Sequence, residues 1–151
     1  MQTCAVRHIR APRAAVYRAL TDPAVVEVWR VPNGMTAVVH SFDARVGGEF
    51  RISLTYLSPS DRGKTAAQTD TYHGRFIELV PNKRVVEKLQ FETSDPALRG
   101  VMTMTTTLAD ADGGTDVVVM HRGIPPGVSA TDNEIGTKMA LDKLAALLEP
   151  Q

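Results

Sequence analysis

The chain has 151 residues, and its seventeen basic side chains balance seventeen acidic ones, so no long-range field draws it to nucleic acid or to an anionic membrane. That length suits one domain, 1–151, which buries roughly 70% of its unfolded surface on folding. With one cysteine, Cys4, an N-terminus (MQTCAVRHIR) lacking the apolar run of a secretory signal, and no stretch near the roughly 20 apolar residues that cross a bilayer, the expectation is a soluble protein of the reducing cytoplasm.

TCAVRHIR, residues 3 to 10, reads as a first strand. Pro12 then sits where an N1 proline opens a helix through Leu20, with Val16, Tyr17 and Leu20 as its apolar face. Asp22-Pro23 repeats the start signal, and Val25, Val28 and Trp29 fall at i, i+3 and i+4 of a second short helix. After the Asn33-Gly34 turn, strands are predicted at about 35 to 45 and 48 to 57, joined by a Gly47-Gly48 corner. In the second of them Phe50, Ile52, Leu54 and Tyr56 alternate with Glu49, Arg51, Ser53 and Thr55.

Residues 58 to 70 are polar and aperiodic, which predicts an exposed, mobile loop. Strands follow at about 71 to 80, 84 to 94, 100 to 109 and 115 to 123; their short links favour an antiparallel meander. Thr131 and Glu134 have capping-box spacing for a helix running to about Glu149. The order is β-α-α-β-β-β-β-β-β-α, an α+β arrangement with no repeat or linker dividing it.

The last helix carries the most useful clue. At 100° per residue Asn133, Thr137, Ala140, Leu141, Leu144, Leu147 and Leu148 share one face. Leucines in its C-terminal half can seal a core, whereas Asn133, Gly136, Thr137 and Ala140 are too small to fill the space over a curved sheet. Either a cavity lies beneath the first two turns, or bulky residues such as Tyr56 or Trp29 rise to fill it. In the strand from 84, Glu87 shares the apolar side with Val85, Leu89 and Phe91. An inward carboxylate costs several kcal/mol unless it is paired, hydrogen-bonded, protonated or hydrated, so Glu87 is either salt-bridged to an inward arginine or set to orient a ligand or exchange a proton. His121 ends a strand apolar on both faces, and the pattern does not place it. Met102, Met104, Thr106 and Leu108 form a further face, core or adaptable lining.

Several chemistries lose support. His8, His40, His73 and His121 lack the spacing of a zinc site, and no metal is expected. Gly-x-Gly-x-x-Gly, Walker-type and Gly-x-Ser-x-Gly motifs are absent, as are basic clusters among exposed aromatics, so no cofactor and no nucleic acid is expected.

The strings APRAAVYRALTDPAVVEVW, FDARVGGEFRISL, GRFIELVPNKRVVE, MTMTTTL, GGTDVVVMH and DNEIGTKMALDKLAALLE, with this order of elements, resemble single-domain bacterial proteins related to the C-terminal domain of the activator of Hsp90 ATPase. These belong to the START-like, or SRPBCC, superfamily with its helix-grip (Bet v 1-like) fold. The resemblance implies a curved antiparallel sheet wrapped around the C-terminal helix, with a pocket for an apolar or amphipathic small molecule between them. It places Phe50, Ile52, Leu54 and Tyr56 toward that interior, with Glu87, Phe91, Met102, Met104 and His121. Trp29 and the helix start, Asn133, Thr137 and Ala140, become walls. Many relatives carry Gly-Trp where this chain has Gly136-Thr137, which implies a larger or more open pocket here. The second domain of the eukaryotic activator has no counterpart in the chain, so Hsp90 is not an expected partner.

Three functions follow as expectations. The first is non-enzymatic binding of a small hydrophobic or amphipathic molecule. The second is a cyclase- or hydrolase-like enzyme using Glu87 and His121 as catalytic acid and base, and the third is a co-chaperone-like module acting through its surface. Val118 and Met120 would lie outside if His121 lies inside, which suggests a homodimer contact.

Overall fold

A computed structural model describes residues 1 to 58 and 68 to 150. The elements follow the predicted order: β1 Gln2–Ile9, α1 Arg13–Thr21, α2 Pro23–Trp29, β2 Met35–Phe42, β3 Glu49–Tyr56, β4 Thr69–Val80, β5 Arg84–Phe91, β6 Met102–Ala111, β7 Gly114–Arg122 and α3 Ala130–Leu148. The strands form one antiparallel sheet in the order β1-β7-β6-β5-β4-β3-β2. The sheet curls into a half-barrel around α3, the helix-grip arrangement of an α+β fold. No helix among the described residues is long and apolar enough to cross a membrane.

Local chemistry explains the boundaries, and some differ from expectation. Pro12 is the N-cap residue of α1, not its first helical residue, because its ψ of 153° is extended. The α2 cap is as expected: the Asp22 carboxylate accepts from the Ala24 amide at 3.0 Å, with proline following. For α3, the Ser129 hydroxyl accepts from the Asp132 amide at 3.1 Å, so the helix starts ahead of the Thr131-Glu134 box. Val128, just before that cap, is buried and fixes where the chain enters the helix. The β2–β3 corner needs both its glycines. Gly47 has φ +83°, and a Cβ on Gly48 would lie 2.0 Å from the Asp43 carbonyl oxygen.

The predicted loop of residues 58 to 70 falls largely on positions 59 to 67, outside the described residues, but Thr69 and Asp70 already belong to β4. In α2 it is Val26 and Trp29 that are buried, whereas Val28 is 56% exposed. In α3 Leu147 is 48% exposed, while Ala140, Leu141, Leu144 and Ala145 are buried.

One cluster of buried apolar residues joins the concave face of the sheet to all three helices: Ile9, Val85, Leu108 and Val117 with Val16, Leu20, Val26, Leu141 and Leu144. His121 is buried on this face with Val117 and Val119, which settles the strand that periodicity left open. Val118 and Met120 take the opposite face, beside Val6 and Cys4 of β1 in the sheet register.

Candidate functional site

β3 runs from the filled part of the concave face into an open part. Phe50 and Ile52 are each 1% exposed. The Phe50 ring stacks at centroid distances of 5.3 Å from Phe76 and 6.2 Å from Phe42. Neither residue lines the cavity: they are core, because aromatic neighbours fill the space above them. Leu54 and Tyr56, further along, do line it.

The cavity measures about 600 Å³. Its floor is the open end of the sheet: Leu54, Tyr56, Asp70, Tyr72, Leu89, Phe91, Met102, Met104, Val119 and His121. Its roof is the first half of α3, including Asn133, Gly136, Thr137, Met139 and Ala140. Trp29, Arg30 and Met35 close one side, and Gly127 to Ser129 another. Helix periodicity delivers the small residues to the roof, as the sequence suggested. Thr137 donates its hydroxyl to the Asn133 carbonyl at 2.8 Å, and Thr3 donates to the Asn133 side-chain oxygen at 2.9 Å. Trp29 is held by an Nε1–H bond to the Ala19 carbonyl at 2.9 Å, and Lys143 ties α3 to the Val31 carbonyl at 2.8 Å.

Glu87 is buried but does not line the cavity. Arg30 Nη1 donates to its Oε1 at 2.8 Å, with the two side chains 12% and 3% exposed. The guanidinium lies 5.6 Å from the Phe50 centroid and 5.7 Å from that of Tyr72, and Nη2 reaches Met104 Sδ at 3.6 Å. Burial works to lower the Arg30 pKa, but the charge of Glu87, with Tyr72 and the bond to Glu87, more than reverses this, so the group is held firmly charged. The Tyr72 phenol is pushed up, first by burial and then by the Glu87 charge. Arg30 and Glu87 thus form a buried pair whose arginine alone borders the open space.

His121 is different in kind. It is 7% exposed, and its Nδ1 is the one buried side-chain nitrogen or oxygen without a hydrogen-bond partner among the described residues. Burial, then the nearby Arg30 charge, pushes its pKa down to about 4, so the imidazole is neutral at physiological pH. The sheet register sets His121 opposite Met104 and Met104 opposite Glu87. Two strand spacings therefore separate His121 from Glu87, roughly 10 Å between backbones. The other histidines are engaged outside the cavity wall: His8 with Asp116, His40 with Ser53, and His73 with Glu92. No group of three or more His, Cys, Asp or Glu side chains that could hold a metal occurs among the described residues.

Of the residues singled out from sequence, Trp29, Leu54, Tyr56, Phe91, Met102, Met104, His121, Asn133, Thr137 and Ala140 meet at this cavity, while Phe50, Ile52 and Glu87 lie behind it. Sequence reasoning missed Arg30, Met35, Asp70, Tyr72 and Met139. The signal for Asp70 and Tyr72 was present: both continue backward the inward register of Phe76, but Asp70 was assigned to the preceding loop. Nothing in the sequence couples Arg30 to Glu87.

Fold and cavity together define a START-like helix-grip protein. The chain belongs to the family described as Activator of Hsp90 ATPase homolog 1-like protein, whose model matches residues 10–149. No curated protein matches it. Among solved structures it is similar to CV1439 from Chromobacterium violaceum, at 33% identity over 99% of this chain and 98% of that one, with a TM-score of 0.88. MLL2253 from Mesorhizobium loti shares 23% identity over 97% and 96% of the two chains, TM-score 0.76. NE0264 from Nitrosomonas europaea shares 24% over 97% and 93%, TM-score 0.71. The last two similarities speak for the fold alone.

Proposed function

We propose that the chain binds a small hydrophobic or amphipathic molecule in the cavity between the open end of the sheet and the first half of α3, without transforming it. The observation that carries this reading is a volume of about 600 Å³ under small helix residues, with a wall that is mostly apolar, rich in aromatic and methionine side chains, and carries a set of polar groups. Ligand sites are usually concave, mostly apolar and within this range of size. An acid/base reading draws less support: Glu87 is committed to Arg30 and lies off the cavity wall. The reducing cytoplasm suits a protein whose single cysteine is exposed and unpaired.

Native mass spectrometry of protein purified from its own host tests the proposal. The expected result is a retained small-molecule mass that Thr137→Trp, which fills the space beneath α3, releases while circular dichroism stays unchanged. If protein from the host carries no added mass and takes up no environment-sensitive apolar dye, the proposal fails.

A further inference from the structure

Resting on that reading, we propose that the cavity selects amphiphiles with an uncharged hydrogen-bonding head, such as an alcohol, over carboxylates and amines, and that the His121 imidazole anchors the head.

Three observations lead there. First, the only cationic side chain on the cavity wall among the described residues is Arg30, and its charge is already balanced by Glu87 at 2.8 Å. An anionic head would be a further buried charge without a counter-ion of its own, which desolvation strongly disfavours. Second, the other ionisable groups on the wall offer an anion no opposite charge. Asp70 is 2% exposed and already engaged, Asp132 lies at the exposed rim, and Tyr56 and Tyr72 are phenols. A cationic head fares no better inside: Arg30 repels it, and the Asp70 carboxylate on the wall is already engaged. Third, His121 is more than nine-tenths buried and borders the cavity; its unpartnered Nδ1 is sealed from solvent, which leaves Nε2 as the ring nitrogen that a ligand meets.

In a neutral imidazole Nε2 either donates or accepts according to the tautomer, and a hydroxyl answers either role. Protonation would let the ring pair with a carboxylate instead, but burial and the Arg30 charge both oppose it. The wall thus asks for a polar head that brings no charge.

Displacement of a bound environment-sensitive dye at neutral pH, with decanol, decanoate and decylammonium as competitors sharing one chain length, tests the selection. Decanol is expected to displace the dye at concentrations at least tenfold below the other two, and His121→Phe to weaken decanol by roughly tenfold, the worth of one good hydrogen bond. His121→Gln, which keeps a donor and an acceptor, should recover part of that loss. Decanoate or decylammonium matching decanol overturns the selection, and decanol binding unchanged in His121→Phe overturns the anchor; in both cases dye uptake leaves the cavity reading intact. Failure of the dye itself to bind the wild-type protein brings down the cavity reading and this inference together.

Discussion

The two ends of the concave face are built from the same sheet and the same helix, yet one is solid and the other hollow. At the closed end Leu144 and Ala145 of α3 are fully buried and belong to one cluster with Ile9, Val16, Val85 and Val117. At the open end the same helix presents Gly136, Thr137 and Ala140 to Leu54, Tyr56, Tyr72 and Phe91, and about 600 Å³ is left. Side-chain volume carries much of the difference, along α3 and on the sheet, where Phe42, Phe50 and Phe76 pack together at the filled end. Stability is drawn from one end so that the other can stay open, and the Arg30–Glu87 pair marks the border.

The border is where the largest effect is expected. Arg30→Met leaves the Glu87 carboxylate buried without its cation, and breaking such a pair from one side costs about 3–5 kcal/mol. Replacing both residues with apolar ones should cost far less. Urea denaturation of Arg30→Met and of an Arg30→Met/Glu87→Leu double variant measures the contrast; similar losses in the two would show that the pair is not what divides the face. Next comes Leu144→Ala at the closed end, fully buried and expected to cost about 2–5 kcal/mol with a cavity left behind. If the same urea measurement found under about 1 kcal/mol, the closed end would not be the stability source described above.

His121 gives the third effect, and its sign is fixed by the direction of its shift. The folded-state pKa of about 4 lies below the ordinary 6.5, so the unfolded chain takes up this proton first as pH falls. The contribution is fully present above pH 6.5, declines between that value and about 4, and is gone below it. Over the window it amounts to about 3 kcal/mol. Unfolding free energies measured at pH 7 and pH 4.5 for wild type and His121→Phe should diverge in that sense, the wild type losing more. Parallel curves would mean that the imidazole is not held neutral by its surroundings.

Much of this was legible in the sequence because one-dimensional period carries it. Strand alternation put Phe50, Ile52, Leu54 and Tyr56 on one face, and helix period set Asn133, Thr137 and Ala140 above Leu144. Alternation also turned Glu87 inward. Period says nothing, however, about where along a shared face filling stops, and so could not separate Phe50 and Ile52 from Leu54 and Tyr56. Nor does it bring together residues 57 apart, which is why Arg30 went unseen while Glu87 stood out. In α2 the apolar run offered two faces, and packing chose Val26 over Val28.

The smallest expected effect tests whether the open end is kept open at a cost. Gly136 sits in the middle of α3, where glycine is less stable than alanine by roughly 0.5–1 kcal/mol. A Cβ there would meet Pro32 Cγ at 3.5 Å and Cβ at 3.8 Å, ordinary contacts that require no movement. Gly136→Ala should therefore raise the unfolding free energy by about that 0.5–1 kcal/mol. The added methyl also closes toward Pro32 at the cavity wall, so dye association, followed by stopped-flow fluorescence, should slow in the same variant. A gain in stability with slower entry would mean that glycine keeps the passage beside α3 wide. A loss of stability would show that the helix at this point is held by the proline contact more tightly than the distances imply, and the contrast between a closed end built for stability and an open end built for access would weaken accordingly.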